Sequence, residues 1–478
     1  VLGIKVLFDE TEVDFAFDSP LPLVWQRSYY SDQIGNGWLG QGWSLPFSMR
    51  LVRTADGFLY IDEQGREISL PDISDEAEES YSAADEDEDD LYQEEAAPRP
   101  ASAEEYPYGL DDAYFDPYEQ IYFSQISDDL YQIASPDGGA RLLFAEVDSG
   151  CGIFQLVAQL DRNGRHIRLC YDDNGLPHSI YDGSGRHFQP VFSSIRLNDN
   201  DPDFDPAGER DVFVSEDERF YVNRLTSVTF NGKELVRYDY DGYGDLTAVY
   251  GRDGKKLRGF AYRNHIMVEH SQPDGLVSRY EYDRYDTDGK VLKSSNNLGE
   301  EWTFDYRKDH TVVTDALGRT EVYGFDENRE LIYRIDADGQ RSDSERDDYG
   351  RITVERDPLG RETRYLYDTE GNVIAITAPD GSSTQIDYHE TLNLPVAVND
   401  PAGRITAYDY DKRGNLISIT DPAGYTTSYG YNARWLPETI TDALGKTRRL
   451  HYDTLDQLVC FTDCTGETTR FGYTEYGD

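Results

Sequence analysis

A 21-residue period constrains this chain more than any other feature. Glycines recur at Gly254, Gly275, Gly299, Gly318, Gly339, Gly360, Gly381, Gly403, Gly424, Gly445 and Gly466. The steps between them are 21, 24, 19, 21, 21, 21, 22, 21, 21 and 21 residues. Gly164 and Gly185 keep the same spacing upstream. A fixed period of this size marks a repeat architecture, in which each unit is one supersecondary element that buries its apolar face against its neighbours.

The interior of each unit says which element that is. Aromatic or aliphatic pairs sit five and seven residues after the glycine, as in Tyr365/Tyr367, Tyr408/Tyr410 and Tyr429/Tyr431. A separation of two places both rings on one face of a strand. A polar turn follows, often with a second glycine (Gly350, Gly371, Gly414), then an aliphatic (Ile352, Val373, Leu416) and a β-branched run such as Ile417-Ser-Ile-Thr. Each run ends in Asp-Pro-x-Gly or a variant, as at Asp357, Asp400 and Asp421. Asp bonds its own backbone, Pro presets φ and Gly supplies positive φ, so this is turn chemistry. The unit reads as strand, turn, strand, turn: one hairpin per repeat. A lone hairpin is marginal in water, so the hairpins are expected to pair edge to edge, with equivalent tyrosines laddering across neighbouring strands. Sheets twist, so a long ribbon of hairpins must coil.

Composition agrees. The 478 residues include 37 Tyr, 20 Phe and 41 Gly but only 2 Met, which favours sheet over helical bundle. The formal net charge is −48, which argues against nucleic acid and anionic membranes as direct partners. No apolar run approaches the ~18 residues of a membrane-spanning helix. Four cysteines (Cys151, Cys170, Cys460 and Cys464) are too few for a disulfide framework and are expected to be free thiols. The chain begins at Val1 and stops inside a repeat at Asp478, so it is expected to be a fragment.

Three regions are expected. Residues 1–73 lack the period and read as short strands at 13–17, 23–30, 48–53, 58–61 and 67–70. Residues 74–140 form an acidic, partly disordered insertion with a Tyr-rich part; 12 of the 21 residues in 75–95 are Asp or Glu. Residues 141–478 are the repeat array, with a polar insertion at about 198–220.

The motifs that might carry chemistry are weak. Gly35-Asn-Gly37-Trp-Leu-Gly40 has dinucleotide-loop spacing, but Gln41-Gly-Trp-Ser-Leu-Pro46 will not start the helix such a loop needs. Asp201, Asp203 and Asp205 alternate as in a calcium loop, but Pro206 and Val212 stand where Gly and Glu belong. Cys460 and Cys464 with His451 lack a fourth zinc ligand. No nucleophile–base spacing is present. The expectation is therefore a non-enzyme with no catalytic, metal or cofactor-binding residues and no cofactor.

The stretch Asp400-Pro-Ala-Gly-Arg-Ile-Thr-Ala-Tyr-Asp-Tyr-Asp-Lys-Arg-Gly-Asn-Leu-Ile-Ser-Ile-Thr420 resembles the YD repeat of the rearrangement hotspot (Rhs) family. Pro20-Leu-Pro-Leu-Val-Trp-Gln-Arg-Ser-Tyr-Tyr-Ser-Asp32, Leu39-Gly-Gln-Gly-Trp-Ser-Leu-Pro-Phe47 and Gln64-Gly-Arg-Glu-Ile68 resemble the opening segment of bacterial Rhs proteins. The resemblance implies an all-β, hollow spiral shell of hairpins that encloses a C-terminal toxin in a type VI secretion-type effector. It implies synthesis in the bacterial cytoplasm, then secretion or delivery to a target cell. Implied partners are the enclosed toxin domain, the remaining shell chain or a second polypeptide, secretion-spike proteins and a chaperone. The autoproteolytic segment and the toxin that family members carry are not in this sequence. Two other readings stand beside it. One is an extracellular adhesion or carbohydrate-binding repeat protein, whose aromatic rows stack on sugars. The other is an enzyme with its site in residues 1–230.

Overall fold

A computed structural model describes residues 2–8, 12–73, 113–147, 150–197, 221–474 and 476. The acidic run 75–95 and the alternating Asp201, Asp203 and Asp205 lie outside these residues. The described residues contain strands and turns and no α-helix. From Ile121–Ser127 to Thr468–Arg470 each strand is antiparallel to the next in sequence, so one sheet runs the length of the repeat array.

The repeat folds as its turn chemistry dictates. In the turn that starts at Asp400, Oδ1 accepts the N–H groups of Ala402 and Arg404, both at 2.9 Å. Asp411, at the other end of the same hairpin, accepts those of Arg413 and Asn415 in the same way. Both ends of the hairpin are thus closed by one device, and the Asp-led turns alternate along the array. Arginine four residues on adds a second bond, as from Arg404 Nε to Asp400 Oδ2 at 2.7 Å. The fourth turn residue takes positive φ, +74° at Gly403 and +84° at Gly414. Arg329, Asn393, Trp435 and Asp456 hold the same place with φ between +51° and +64°, against the Cβ penalty of that conformation.

The tyrosines do something other than ladder. Equivalent tyrosines of neighbouring repeats are separated by an intervening strand, about 9.5 Å of sheet. Across from each stands an aliphatic instead: Tyr365 opposes Ile376, Tyr408 opposes Ile419 and Tyr429 opposes Ile440. The second tyrosine of each pair sits at a β-bulge, where the register shifts between Asp387 and Tyr388, Asp409 and Tyr410, and Gly430 and Tyr431. Its hydroxyl donates to the carbonyl 15 residues earlier. Tyr367 reaches Ile352, Tyr410 reaches Pro395, Tyr431 reaches Leu416 and Tyr452 reaches Pro437, at 2.6–2.9 Å. A bulge bends the strand and increases its twist, and the hydroxyl serves a backbone acceptor near it. A bulge in nearly every repeat bends the sheet; the strand ending at Tyr306 is an exception and pairs without one.

The sheet is closed near its start. Arg50–Thr54, Gly57–Ile61 and Glu67–Pro71 form a meander. Arg50–Thr54 then pairs with Ile153–Gln155, while residues 158–160 of the same strand pair with His166–Tyr171. Rings of Phe58, Phe123, Tyr131 and Phe154 meet inside this curl at centroid distances of 4.7–5.9 Å. At its edge Asp62 accepts the N–H groups of Gln64 and Arg66, and the Arg66 side chain bonds both Asp62 and Glu119. The stretch expected as a single strand over 23–30 is two, Leu23–Gln26 and Ser28–Tyr30. The break falls at Arg27, whose N–H bonds Glu12 O and whose guanidinium turns into the core.

Two outcomes follow from the turns. Arg329→Gly removes a Cβ from a left-handed position and is expected to stabilise the array by about 0.5–1 kcal/mol, read as a higher urea midpoint. Bonds from the Arg361 and Arg404 side chains, then from backbone N–H groups, hold the Asp357 and Asp400 carboxyls below their ordinary value of 3.8. That stabilisation is present above the unfolded value and is lost as pH falls through the lower folded values. Acid titration of the unfolding midpoint is therefore expected to show a steep loss below pH 3.8.

Candidate functional site: an ionic anchor, an apolar wall and a seam

Residues 12–49 lie against one face of the sheet. Phe17 packs on Phe188 and Phe230, and Trp43 packs on Phe260, with centroids 4.9–5.1 Å apart. Inside this contact is a buried ionic cluster. Arg27 pairs with Asp14 at 2.9 Å and with Glu12 at 2.8 Å, and all three side chains are at most 1% exposed. Asp14 also accepts from Tyr238 at 2.6 Å, and Tyr238 accepts from Trp25 Nε1 at 2.9 Å. Glu12 meets a second guanidinium, Arg258, which also lies 3.2 Å from His270 Nδ1. His270 Nε2 is 2.8 Å from the Tyr280 hydroxyl. Two carboxylates face two guanidinium groups, so the cluster is neutral as a whole.

Burial works against the Arg27 charge, but Asp14 and Glu12 outweigh it and hold Arg27 above its ordinary value. Burial raises Asp14 despite the opposing pull of Arg27. Burial pushes the Tyr280 hydroxyl up to about 12, so it stays protonated. These groups grip one another. The chemistry is that of an anchor: it ties Glu12, Asp14 and Arg27 of the opening segment to Tyr238, Arg258 and His270 of the sheet.

The face that receives this anchor continues beyond it. Cα pairing carries one face from Tyr280 through Ser294 to Trp302 and Phe304. The same alternation places Tyr365, Ile376, Ile386, Val398, Tyr408, Ile419, Tyr429 and Ile440 on that face. Tyr280 is buried under the opening segment, whereas the later residues are half-exposed. Their strand neighbours on the opposite face, such as Arg364, Gln385 and Asp409, are exposed and mostly polar. The sheet therefore has a polar outside and, on its other face, apolar stretches at 302–313 and 365–440 separated by a polar one that holds Glu321, Arg334, Ser342, Ser344 and Glu355.

The coiling brings distant turns together along a seam. Arg162 donates to Gly414 O at 2.7 Å and pairs with Asp137 at 2.9 Å. Asn163 and Asn415 exchange reciprocal amide bonds at 3.0 and 2.9 Å. Arg165 donates to Arg434 O at 2.6 Å, and Ser184 donates to Leu455 O at 2.9 Å. Tyr118 meets Tyr349 edge-on at 5.6 Å. Leu436 and Asn415 are buried here.

The sequence motifs fall apart spatially. Asn36–Gly37 and Gly40–Gln41 make a tight two-stranded turn, and Asn36 Oδ1 accepts from Arg224 at 2.7 Å. His451 and Cys460 are cross-strand neighbours, with Cys464 exposed in the next turn. Among the described residues no three His, Cys, Asp or Glu side chains are placed to hold a metal. The anchor was not singled out from the sequence. Its signal was a run of alternating acids, Glu12 and Asp14, near Arg27 in an otherwise apolar stretch.

Such a molecule is a coiled array of Asp-turned β-hairpins whose opening segment is pinned to the inner face. Residues 1–70 match the domain of unknown function DUF6531, and residues 346–383 and 410–447 match the RHS Repeat. The chain is 31% identical over 384 residues to "Toxin protein Tse5" of Pseudomonas aeruginosa, covering 79% of this chain and 28% of that protein. It is 29% identical over 332 residues to "Double-stranded DNA deaminase toxin A" of Burkholderia cenocepacia, covering 68% of this chain and 19% of that one. The solved TcdB2-TccC3 without its hypervariable C-terminal region matches 96% of this chain and 24% of that chain, at 11% identity and a TM-score of 0.38. The chain belongs to the Rhs/YD-repeat family of polymorphic toxins. It spans 28% and 19% of the lengths of these two relatives.

Arg27→Met removes one side of the buried cluster and leaves Glu12 with Arg258 and Asp14 with the Tyr238 hydroxyl. It is expected to destabilise the fold by about 3–5 kcal/mol, against about 1 kcal/mol for Tyr238→Phe, read from denaturant midpoints. Arg162→Ala is expected to speed hydrogen exchange at residues 411–415 while leaving residues 357–361 unchanged.

Proposed function

We propose that this chain is the non-catalytic shell portion of a bacterial Rhs toxin of the type VI secretion kind, which encloses a C-terminal toxin domain and is delivered in competition between bacteria. The observation that carries this reading is the apolar wall. An aromatic and aliphatic sheet face such as that from Tyr365 to Ile440, half-exposed, is poor design for a free surface and good design for a lining. The second tyrosine of a pair has its hydroxyl bonded to the backbone, as in Tyr410 to Pro395, and the Tyr365 hydroxyl bonds Glu355. Those tyrosines offer the cargo ring faces, which suits a partly unfolded chain. The polar outer face, in a chain of net charge −48, keeps the shell dispersed.

On this reading the partners are the enclosed toxin and the rest of the shell, in the same polypeptide or a second one, with secretion-spike proteins and a chaperone for delivery. The three regions serve distinct parts: within 1–73, residues 12–49 seal the inner face; 74–140 is an acidic insertion with a Tyr-rich part; and 141–478 is the repeat array that forms the wall. The protein is made in the bacterial cytoplasm and then secreted or delivered to a target cell.

Cryo-electron microscopy of the full-length gene product tests the proposal. The expected map is a hollow shell around poorly ordered density, with a cargo that resists added protease. A solid rod or an open ribbon, with the cargo digested as fast as free toxin domain, overturns it.

A further inference from the structure

Two strands of the sheet outrun their neighbours. His187–Arg196 and Tyr221–Phe230 have 10 residues each and pair along nearly their whole length. The flanking strands cover only part of them. Pro177–Tyr181 pairs at His187 and Phe188, and Lys233–Tyr240 pairs at residues 227–230. Residues 191–196 and 221–226 therefore project past the sheet as a two-stranded ribbon. One face of this ribbon rests on the opening segment, where Trp38 meets Phe192 edge-on at 5.6 Å.

The two edges of the ribbon differ. On the 221–226 edge, Leu225 N–H donates to Trp38 O at 2.9 Å, and Leu225 O accepts from the Tyr240 hydroxyl at 2.5 Å. Arg224 Nε donates to Gly244 O at 2.9 Å beside them. On the other edge, among the described residues, no backbone group of 191–195 bonds anything beyond the Tyr221–Phe230 strand. Alternate residues of an antiparallel pair direct both backbone groups away from the partner strand, so this edge presents unpaired donors and acceptors. Natural edges are blunted by charge or proline. Here Pro190 precedes the row and Arg196 follows it, and Val-Phe-Ser-Ser-Ile between them is uncharged. Val191, Ser193 and Ser194 are exposed. Where Pro177 and His178 part from residues 189–192, a groove of about 360 Å³ opens beside the start of this edge.

We propose that this edge is a docking site for an extended, uncharged segment of another protein, which adds to the ribbon as a strand and seats one apolar side chain in the groove. Backbone bonds along an edge supply affinity, and a pocket beside the edge selects a side chain. Leu176, Pro177, Val191 and Phe192 give the groove its apolar lining. Charge sets the rest of the partner's chemistry. A chain of net charge −48 repels an acidic segment. The ribbon's two strands hold no Asp or Glu to attract a basic one. Asp172, at the groove, is engaged by the N–H groups of Asn174 and Leu176 at 2.9 and 3.0 Å. The proposal goes beyond the shell reading and is independent of whether a cargo is enclosed.

A random peptide library panned against the full-length gene product tests this, with the Val191→Lys, Ser193→Lys double variant as the counter-selection. Both side chains are exposed, so the variant is expected to fold, read as unchanged hydrogen exchange at residues 225–230. Enriched peptides are expected to be uncharged with one apolar anchor, and a synthetic copy is expected to slow amide exchange within 191–195. N-methylation of that peptide at one alternate set of residues is expected to weaken binding about tenfold, and at the other set to leave it unchanged. This last measurement needs no variant of the protein. An absence of enrichment, equal enrichment on the double variant, or tolerance of N-methylation at both sets overturns the proposal. So does slow exchange at every amide of 191–195 in the free protein, which means that the molecule covers its own edge. Sedimentation as a dimer that the double variant abolishes also overturns it, by assigning the edge to a second copy.

Discussion

The structure depends on one carboxylate that accepts two backbone N–H groups, two and four residues ahead of it. In Asp400 and Asp411 this bond closes opposite ends of one hairpin. A tight reversal leaves donors that a strand ladder cannot reach, and an unpaired donor costs about 1–3 kcal/mol when shielded from water. The aspartate meets that need locally, without a distant partner. Each turn is then self-sufficient, and the array can lengthen hairpin by hairpin without a new core for every step.

Curvature comes from a second local device. The bulge at Tyr410 or Tyr431 inserts a residue and bends the strand. The hydroxyl fastened 15 residues back holds the bend in place. Repeated at nearly every unit, a small bend accumulates until turns far apart in sequence meet, as Asn163 meets Asn415. The seam is thus a consequence of local geometry, and its bonds record where the coil returns to itself.

The opening segment obeys different physics. Arg27, Glu12 and Asp14 are taken wholly out of water, which is unfavourable unless every charge is matched. What such a cluster supplies is a single allowed position. An apolar contact between Phe17 and Phe230 tolerates sliding, whereas the Arg27–Asp14–Tyr238 geometry does not. The segment is therefore placed on the sheet at one register, and the remaining face stays open as a wall.

The all-β class, the hairpin in each repeat and the Asp-led turns were legible in the residues, because they depend on contacts a few positions apart: Asp400 with Arg404, Gly403 with its own φ. The Rhs resemblance was legible for the same reason, in the spacing of those residues. The tyrosine rows were misread, since sequence spacing shows which residues share a face but not that an aliphatic strand lies between them. The anchor and the seam were illegible. Each depends on pairs such as Arg258 with Glu12 or Arg162 with Gly414, hundreds of positions apart, brought together by the summed bend of many strands. Local chemistry determined what each repeat would be. Only the accumulated curvature of the tertiary structure decided which repeats would touch, because a small error in bend per strand multiplies along the array.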